Sequence, residues 1–491
     1  MNHAQIEDHK VPEILEFYYS LEIRSLVTGV SRSGASLIPS NHNKCEECHV
    51  FVAKRKFDIA FGVAILSSTY HHRGMIVTGK QNAEDLCGFI DSSPSPFHAV
   101  KTAAERLLEA GFTEIDSLTS INKEDSVFFR RDGALFAISG PLNADKAVRV
   151  IGAHTDSPNL RLKPLFDTSR NGWRALGIEV YGSALNNSWL DRDLGCSGRL
   201  VIRTKDGMLE KTCRLDEPIA RIPQLAIHLD RQVNEKGLIL NRQNHLQPLI
   251  GIREGSNLLE KLANSINHNV EDILSFDLML HDLTPSTLSG IDQEFISAPR
   301  IDNLLSCHAA ISALISAKSS TSEFTRVVAL YDHEEVGSTS STGALGPLLN
   351  DVLTRRCSET SLSSELSLII SSDCAHGTHP NYVEMHDIDH KIFLNEGPVV
   401  KYNANMRYAT DAPGAALVKT AAENANVPLQ TFVSRSDLAC GSTIGPLAAA
   451  STGIRTIDLG VAQLAMHSAR EMCGSEDPEY LKSVLIELLK N

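Results

Sequence analysis

Side chains able to bind a cation or move a proton recur in this sequence just after short apolar runs. His154-Thr155-Asp156 follows the run Ala147 to Ala153, and Asp332-His333-Glu334-Glu335 follows Arg326 to Tyr331. Asp373 follows Leu366 to Ile370, and His467 stands a short loop beyond Ile454 to Leu459. A further carboxylate, Asp302, opens the helical pattern Asn303 to Ala317. Imidazole nitrogen and carboxylate oxygen are ligands that zinc accepts, and a catalytic zinc site keeps one position for water. Two His and three carboxylates suit two zinc ions if one carboxylate bridges them. One of the two adjacent glutamates is then left over to act as a base. Paired metals roughly 3.5–4 Å apart acidify a water and stabilise charge on an attacked carbonyl, so the chemistry implied is hydrolysis. Taken singly, His467 reads as a surface or core histidine, Glu334-Glu335 as a solvated turn and Asp302 as a helix cap. Their shared position after strands is what points to metal.

The elements that must position these groups follow from the pattern. The four apolar runs read as strands, and helical patterns such as Asn303 to Ala317 and Ala415 to Ala425 separate them. Alternating short apolar strands and helices predict an α/β fold with a mixed, mainly parallel sheet covered by helices on both faces. In such sheets ligands bind outside the carboxyl ends of the strands, where His154, Glu334-Glu335, Asp373 and His467 all fall. An earlier helix starts at Ser95-Pro96 and stops at Gly111, with Phe97, Val100, Ala104, Leu107 and Leu108 at helical spacing. From about 159 to 288 polar and apolar residues alternate, as in Arg199 to Thr204, and Asp206-Gly207 marks a hairpin. That region reads as a β-rich domain inserted into the α/β domain, which then comprises 78–158 and 289–491. Residues 1–77 differ from the rest and read as a poorly ordered extension, with at most a short helix from Val11 to Leu26.

Bulk properties remove several classes. With 491 residues, 42% hydrophobic and 22% charged, the chain is sized and balanced for a soluble protein of two or three domains. No apolar run reaches the roughly 20 residues a membrane-spanning helix needs. A formal charge of −14 disfavours general affinity for nucleic acid or an anionic membrane. It also means that any preference for acidic substrates must come from a few local cations. Ten scattered cysteines without a secretory signal imply reduced thiols in a cytoplasmic setting. Cys45-Glu46-Glu47-Cys48-His49 matches a haem-attachment pattern, but nothing around it supplies the fold or axial ligand, and it reads as chance.

With these residues in place, the chain resembles the aspartyl aminopeptidases, a family of di-zinc metallopeptidases. The resemblance covers roughly residues 82 to 491. It rests on Ser93 to His98, Gly152 to Pro158, Pro223-Gln224-Leu225-Ala226-Ile227-His228-Leu229, Ser297 to Leu304, Asp332 to Ser338 and Met466-His467-Ser468. It implies that His154, Asp302 and Asp373 hold one zinc and that Asp302, Glu335 and His467 hold the other. Manganese or cobalt are conceivable substitutes. By the same resemblance Glu334 is the general base, and Asp156 orients His154 through its second nitrogen. His228 serves a neighbouring subunit's site, although from sequence alone it reads as a buried strand histidine. Lys401, with Arg407 and Tyr408 as neighbours, lines the pocket for the substrate's first side chain.

The function expected is therefore removal of N-terminal Asp or Glu from peptides by a water-activating metal pair. The expected assembly is a homo-oligomer, with dimers building a dodecamer through the inserted domain. The rival readings are another di-zinc amidohydrolase (a neutral aminopeptidase, carboxypeptidase or deacylase) and a non-catalytic scaffold protein with the same fold.

Overall fold

The computed structural model of the protein describes residues 79–490, apart from 123–124, 142–145 and 321–322. The extension 1–77, its expected helix and the Cys45-Cys48-His49 motif lie outside the described residues.

A nine-stranded sheet forms the centre. Its order is Thr113–Glu114, Ser126–Arg131, Ala134–Ser139, Thr325–Tyr331, Val148–His154, Leu368–Ser372, Thr456–Gly460, Val399–Tyr402 and Gln430–Val433. The four strands from Thr325–Tyr331 to Thr456–Gly460 are adjacent and mutually parallel, and all four are fully buried. Burial on both faces explains why they read as continuous apolar runs rather than as alternating ones. In Val148–His154 alternate residues divide between two cores. Val148 and Val150 join one, and Ile151 and Ala153 join the other. Helices Leu348–Arg356 and Ile444–Thr452 cover the face of Val148 and Val150, and Pro96–Glu109, Ile301–Ala317 and Asp477–Lys490 that of Ile151 and Ala153.

The helix ends follow the local signals. Ser95 caps Pro96–Glu109 by accepting the His98 N–H, and Gly111, at φ +74°, turns the chain away beyond it. Ala412–Ala425 begins three residues before its apolar pattern, because the Asp411 carboxylate caps it and Pro413 fits its first turn.

Between Asn159 and Asp282 the chain builds a separate six-stranded antiparallel sheet with its own hydrophobic core. The hairpin joining Leu194–Thr204 to Gly207–Ala220 turns at Lys205-Asp206, one residue earlier than Asp206-Gly207. Gly207 instead opens the return strand at φ +125°. After this strand, residues 223–239 form an exposed excursion that presents Leu225, Ile227, Leu229 and Ile239 to solvent. A third sheet joins Thr287–Ser289, Phe295–Ala298, Glu471–Gly474, Ala462–Leu464 and Ala375–His376 beside the carboxyl ends of the central strands.

Candidate metal centre

Parallel register brings the chemistry together. His154 ends its strand opposite Tyr331, so the Asp332-to-Glu335 turn begins beside it. Asp373 lies one residue past Leu368–Ser372, on the other side of the His154 strand. Asp302 sits in the first turn of Ile301–Ala317 with non-helical backbone angles, and its peptide bond to Asn303 is cis.

Hydrogen bonds fix which nitrogen of each imidazole is free. His154 Nδ1 lies 2.9 Å from the backbone carbonyl of Asp156, and His467 Nδ1 lies 3.2 Å from that of Ser183. A carbonyl only accepts, so both Nδ1 atoms carry a proton, and in the neutral ring it is Nε2 that presents a lone pair. His154 Nε2 faces Asp302 Oδ1 at 3.4 Å and Asp373 Oδ1 at 3.8 Å. His467 Nε2 faces Glu335 Oε2 at 3.4 Å and Asp302 Oδ2 at 3.6 Å. Lone pairs facing carboxylate oxygens repel unless a cation lies between them.

The spacing tests that reading. These separations exceed the roughly 2.7–3.2 Å of a hydrogen bond. Zinc bonds of about 2.0–2.1 Å in a tetrahedral arrangement put neighbouring ligand atoms roughly 3.3 Å apart, which is close to what is observed. Asp302 Oδ1 and Glu335 Oε1 are buried with no hydrogen-bond partner, as expected of atoms that a metal would satisfy. Two triads, His154–Asp302–Asp373 and Asp302–Glu335–His467, have their donor atoms within 4.8 Å of one another and share Asp302. The donor set therefore fits a pair of zinc ions.

The electrostatics agree. Burial, reinforced by Asp373, Asp156 and Asp302 against the opposing pull of His154, pushes the Glu334 carboxyl up to about 8. Burial and Asp302 likewise hold Glu335 well above its ordinary value. Burial also opposes ionisation of Asp373, but the Lys401 ammonium, the largest opposing influence, holds it below the usual range. A cluster this rich in buried carboxylates is short of positive charge.

Asp156 plays a wider part than that of a simple partner for His154. Its carbonyl holds the ring, and its carboxylate lies 3.4 Å from Nδ1. The carboxylate accepts the Tyr181 hydroxyl at 2.7 Å and the backbone N–H groups of Glu334 and Glu335 at 3.1 Å each. The turn bearing both glutamates is thus pinned through one buried anion. Tyr181 ends a strand of the six-stranded sheet. The chain following it passes Glu335 at Gly182, where φ is +71° and a Cβ would come within 3.2 Å of the Glu335 side chain.

Neither Tyr181 nor Glu471 stands out in the sequence. Glu471 is buried and accepts the backbone N–H of His467 at 2.7 Å and that of Asp302 at 2.9 Å, holding the loops of both ligands. A signal for Glu471 exists, since it is a carboxylate heading a run that forms a buried strand four residues after His467.

A cavity of about 370 Å³ opens over the cluster. Lys401 lines it at 1% exposure, with its ammonium 2.9 and 3.0 Å from the carbonyls of Cys374 and Asp373 and 3.9 Å from Asp373 Oδ2. Tyr408 also lines it, with its ring centre 5.1 Å from that ammonium. Arg407 is exposed and is not among the lining residues. His228 does not line its own chain's cavity, and it stands in an exposed turn rather than in a buried strand. The backbone has already left the sheet before Pro223, so no strand pairing buries that segment.

The profile of a family described as aminopeptidase I zinc metalloprotease (M18) matches residues 89–487. A "Probable M18 family aminopeptidase 2" of Streptomyces avermitilis is 45% identical over 425 residues, covering 83% of this chain and 98% of that protein. Its namesake in Mycobacterium leprae is 46% identical over 410 residues, covering 81% and 95%. Among solved structures, one described as the Ape4 and Nbr1 complex superposes with a TM-score of 0.81 at 38% identity, covering 84% of this chain and 86% of that one. The S. cerevisiae mApe1 dodecamer gives 0.73 at 30% identity, covering 84% and 97%.

Proposed function

Because the chain belongs to the M18 family of zinc metallo-aminopeptidases, we propose that it removes Asp or Glu from the N-termini of peptides. The observation that carries the acidic preference is Lys401. Among the described residues lining the cavity over the imidazole–carboxylate cluster, it is the one Lys or Arg. A chain of formal charge −14 needs such a local cation to hold an acidic side chain.

Two zinc ions held by the two triads would supply a Lewis acid and a more acidic water, and manganese or cobalt would serve similarly. His154, Asp302 and Asp373 hold one ion, and Asp302, Glu335 and His467 the other. Glu334, whose Oε2 lies 3.9 Å from His154 Nε2, takes the proton from the attacking water and delivers it to the departing amine. Asp156 keeps the Glu334-Glu335 turn and the His154 ring in register. Lys401 binds the carboxylate of the first residue, with Tyr408 as the adjoining wall. Arg407 contributes its backbone, whose carbonyl accepts the Ser442 hydroxyl, rather than its side chain.

His228 acts in a neighbouring subunit's cavity. Its own exposure, and that of Leu225, Ile227 and Leu229 around it, supports a segment made to dock elsewhere. The region 159–288 is then an oligomerisation domain inserted between the catalytic segments 78–158 and 289–491. It builds dimers that assemble to a dodecamer, and the similar S. cerevisiae mApe1 is itself described as a dodecamer. No helix among the described residues is long and apolar enough to cross a membrane, and a cytoplasmic peptide pool is the proposed setting.

The test is hydrolysis of otherwise identical tripeptides beginning with Asp, Glu, Leu or Ala by the zinc-loaded protein. Release of Asp and Glu well ahead of Leu and Ala is expected. Faster release of Leu or Ala would replace the acidic reading with that of a neutral aminopeptidase.

A further inference from the structure

A second cavity adjoins the one over the imidazole–carboxylate cluster. His376 and Met466 line both, and beyond them lies a space of about 280 Å³. A space below the roughly 300–1,000 Å³ of a small-molecule pocket suits a side chain better than a free cofactor. Its position decides which side chain. A peptide whose first residue lies against Lys401 must place its second residue in a different space, and the one adjoining at His376 and Met466 is available.

The lining decides the chemistry. Met385, Phe432, Leu438, Leu464 and Met466 supply apolar surface. The charged groups there are already paired. The Arg435 guanidinium is forked onto Asp437 at 2.6 and 2.7 Å, and an Asp387 oxygen lies 2.7 Å from His390 Nδ1. His386 Nε2 accepts the His379 backbone N–H at 3.0 Å and so is unprotonated. An occupant therefore meets apolar walls and imidazoles rather than an unpaired charge. Gln463 also lines the space. It is 1% exposed, and neither atom of its amide has a partner. A free NH₂ and a free carbonyl oxygen complement the C=O and N–H of a peptide unit, and a buried amide left unpaired is costly.

We propose that this second cavity receives the residue immediately after the scissile bond and favours a large uncharged side chain, apolar or aromatic. The inference rests on the aminopeptidase reading. The resulting specificity is composite, with an acidic first residue read by Lys401 and a bulky second residue read beyond His376 and Met466.

The experiment compares kcat/KM of the full-length, zinc-loaded oligomer for Asp-Phe-Ala, Asp-Ala-Ala and Asp-Glu-Ala. Burying a phenyl side chain predicts a preference for Phe over Ala of roughly tenfold or more, and Glu should be the poorest. Leu438, 41% exposed, can be replaced without disturbing a core. Leu438→Asp should lower kcat/KM for Asp-Phe-Ala far more than for Asp-Ala-Ala, so that the Phe preference is lost. Equal kcat/KM for Phe and Ala in the unaltered enzyme, or a Phe preference that survives Leu438→Asp, overturns the proposal. If Leu- or Ala-initiated peptides prove to be the substrates, the same second-residue comparison is made on them, so the two readings fail separately. Absence of any peptide hydrolysis would overturn both.

Discussion

Replacing Lys401 by Met removes a buried charge while nearly keeping the length of the side chain, and its cost divides into two parts. One part is common to all substrates. The carbonyls of Asp373 and Cys374 lose their donor, and the Asp373 carboxylate loses the largest of the charges that keep it ionised. The other part falls only on substrates with an acidic first residue, which lose the ammonium itself. Two of the three ammonium N–H bonds are taken by those carbonyls, so one remains for a substrate carboxylate. Two unit charges about 4 Å apart interact by roughly 4 kcal/mol at an effective dielectric constant of about 20. Truncating one partner of a buried charge pair costs about 2–5 kcal/mol. A selective loss of about 2–4 kcal/mol corresponds to roughly 30- to 1,000-fold in relative kcat/KM. The assay is kcat/KM for Asp-Ala-Ala against Asn-Ala-Ala, which differ in charge and hardly in shape. It is run at saturating zinc with the bound metal measured in each variant. The Asp/Asn ratio should fall at least about 30-fold. An equal fall for both peptides would mean that Lys401 acts only by steadying Asp373, and would remove the acidic pocket.

Three further outcomes are expected. Glu334→Gln should lower turnover by roughly 10²- to 10⁴-fold with zinc content near normal, and undiminished hydrolysis would refute its role as base. Glu471→Gln should weaken zinc binding by about 10- to 100-fold in competition with a chelator. A carboxylate accepts N–H at both oxygens, whereas an amide must turn its NH₂ toward one of them, so unchanged affinity would show that Glu471 holds neither ligand loop. Co-expressing His228→Ala with Glu334→Gln, each inactive alone, should restore about a quarter of the activity, because half the dimers are mixed and each carries one complete site. No recovery would place the action of His228 within its own subunit.

The parts of the site legible in sequence were those whose position follows from strand periodicity. His154 and Asp373 end or follow buried parallel strands, where a run of apolar residues stops abruptly at a polar one. The boundaries moved by only one or two residues, as with Leu366 to Ile370, which became Leu368–Ser372. What escaped notice lies in elements too short to carry a period. The strands Ala375–His376, Ala462–Leu464 and Glu471–Gly474 have two to four residues each, yet they bring Glu471 beneath Asp302 and His467. Tyr181 escaped for a different reason. It belongs to the six-stranded sheet and reaches the centre only through tertiary packing, so no local spacing relates it to Asp156. The segment around His228 alternates Leu225, Ile227 and Leu229 as a buried strand would, which is equally the alternation of a segment waiting for a partner.

Residue type and strand position made a metal reasonable here, but they could not separate a metal centre from a buried ion-pair network of the same composition. Proton accounting does. In an ion-pair network each imidazole would donate through the nitrogen nearest the carboxylates, at hydrogen-bond distance. Here that nitrogen stands beyond the usual hydrogen-bond distance from those carboxylates. The protons of both rings are used on backbone carbonyls on the far side, at Asp156 and Ser183. The lone pairs stand 3.4–3.8 Å from four carboxylate oxygens, and one of those oxygens, Asp302 Oδ1, has no other partner. Chain segments as distant as Ser183 and His467 are brought together to hold this orientation. Such an arrangement makes sense only if something small and positive completes each triad.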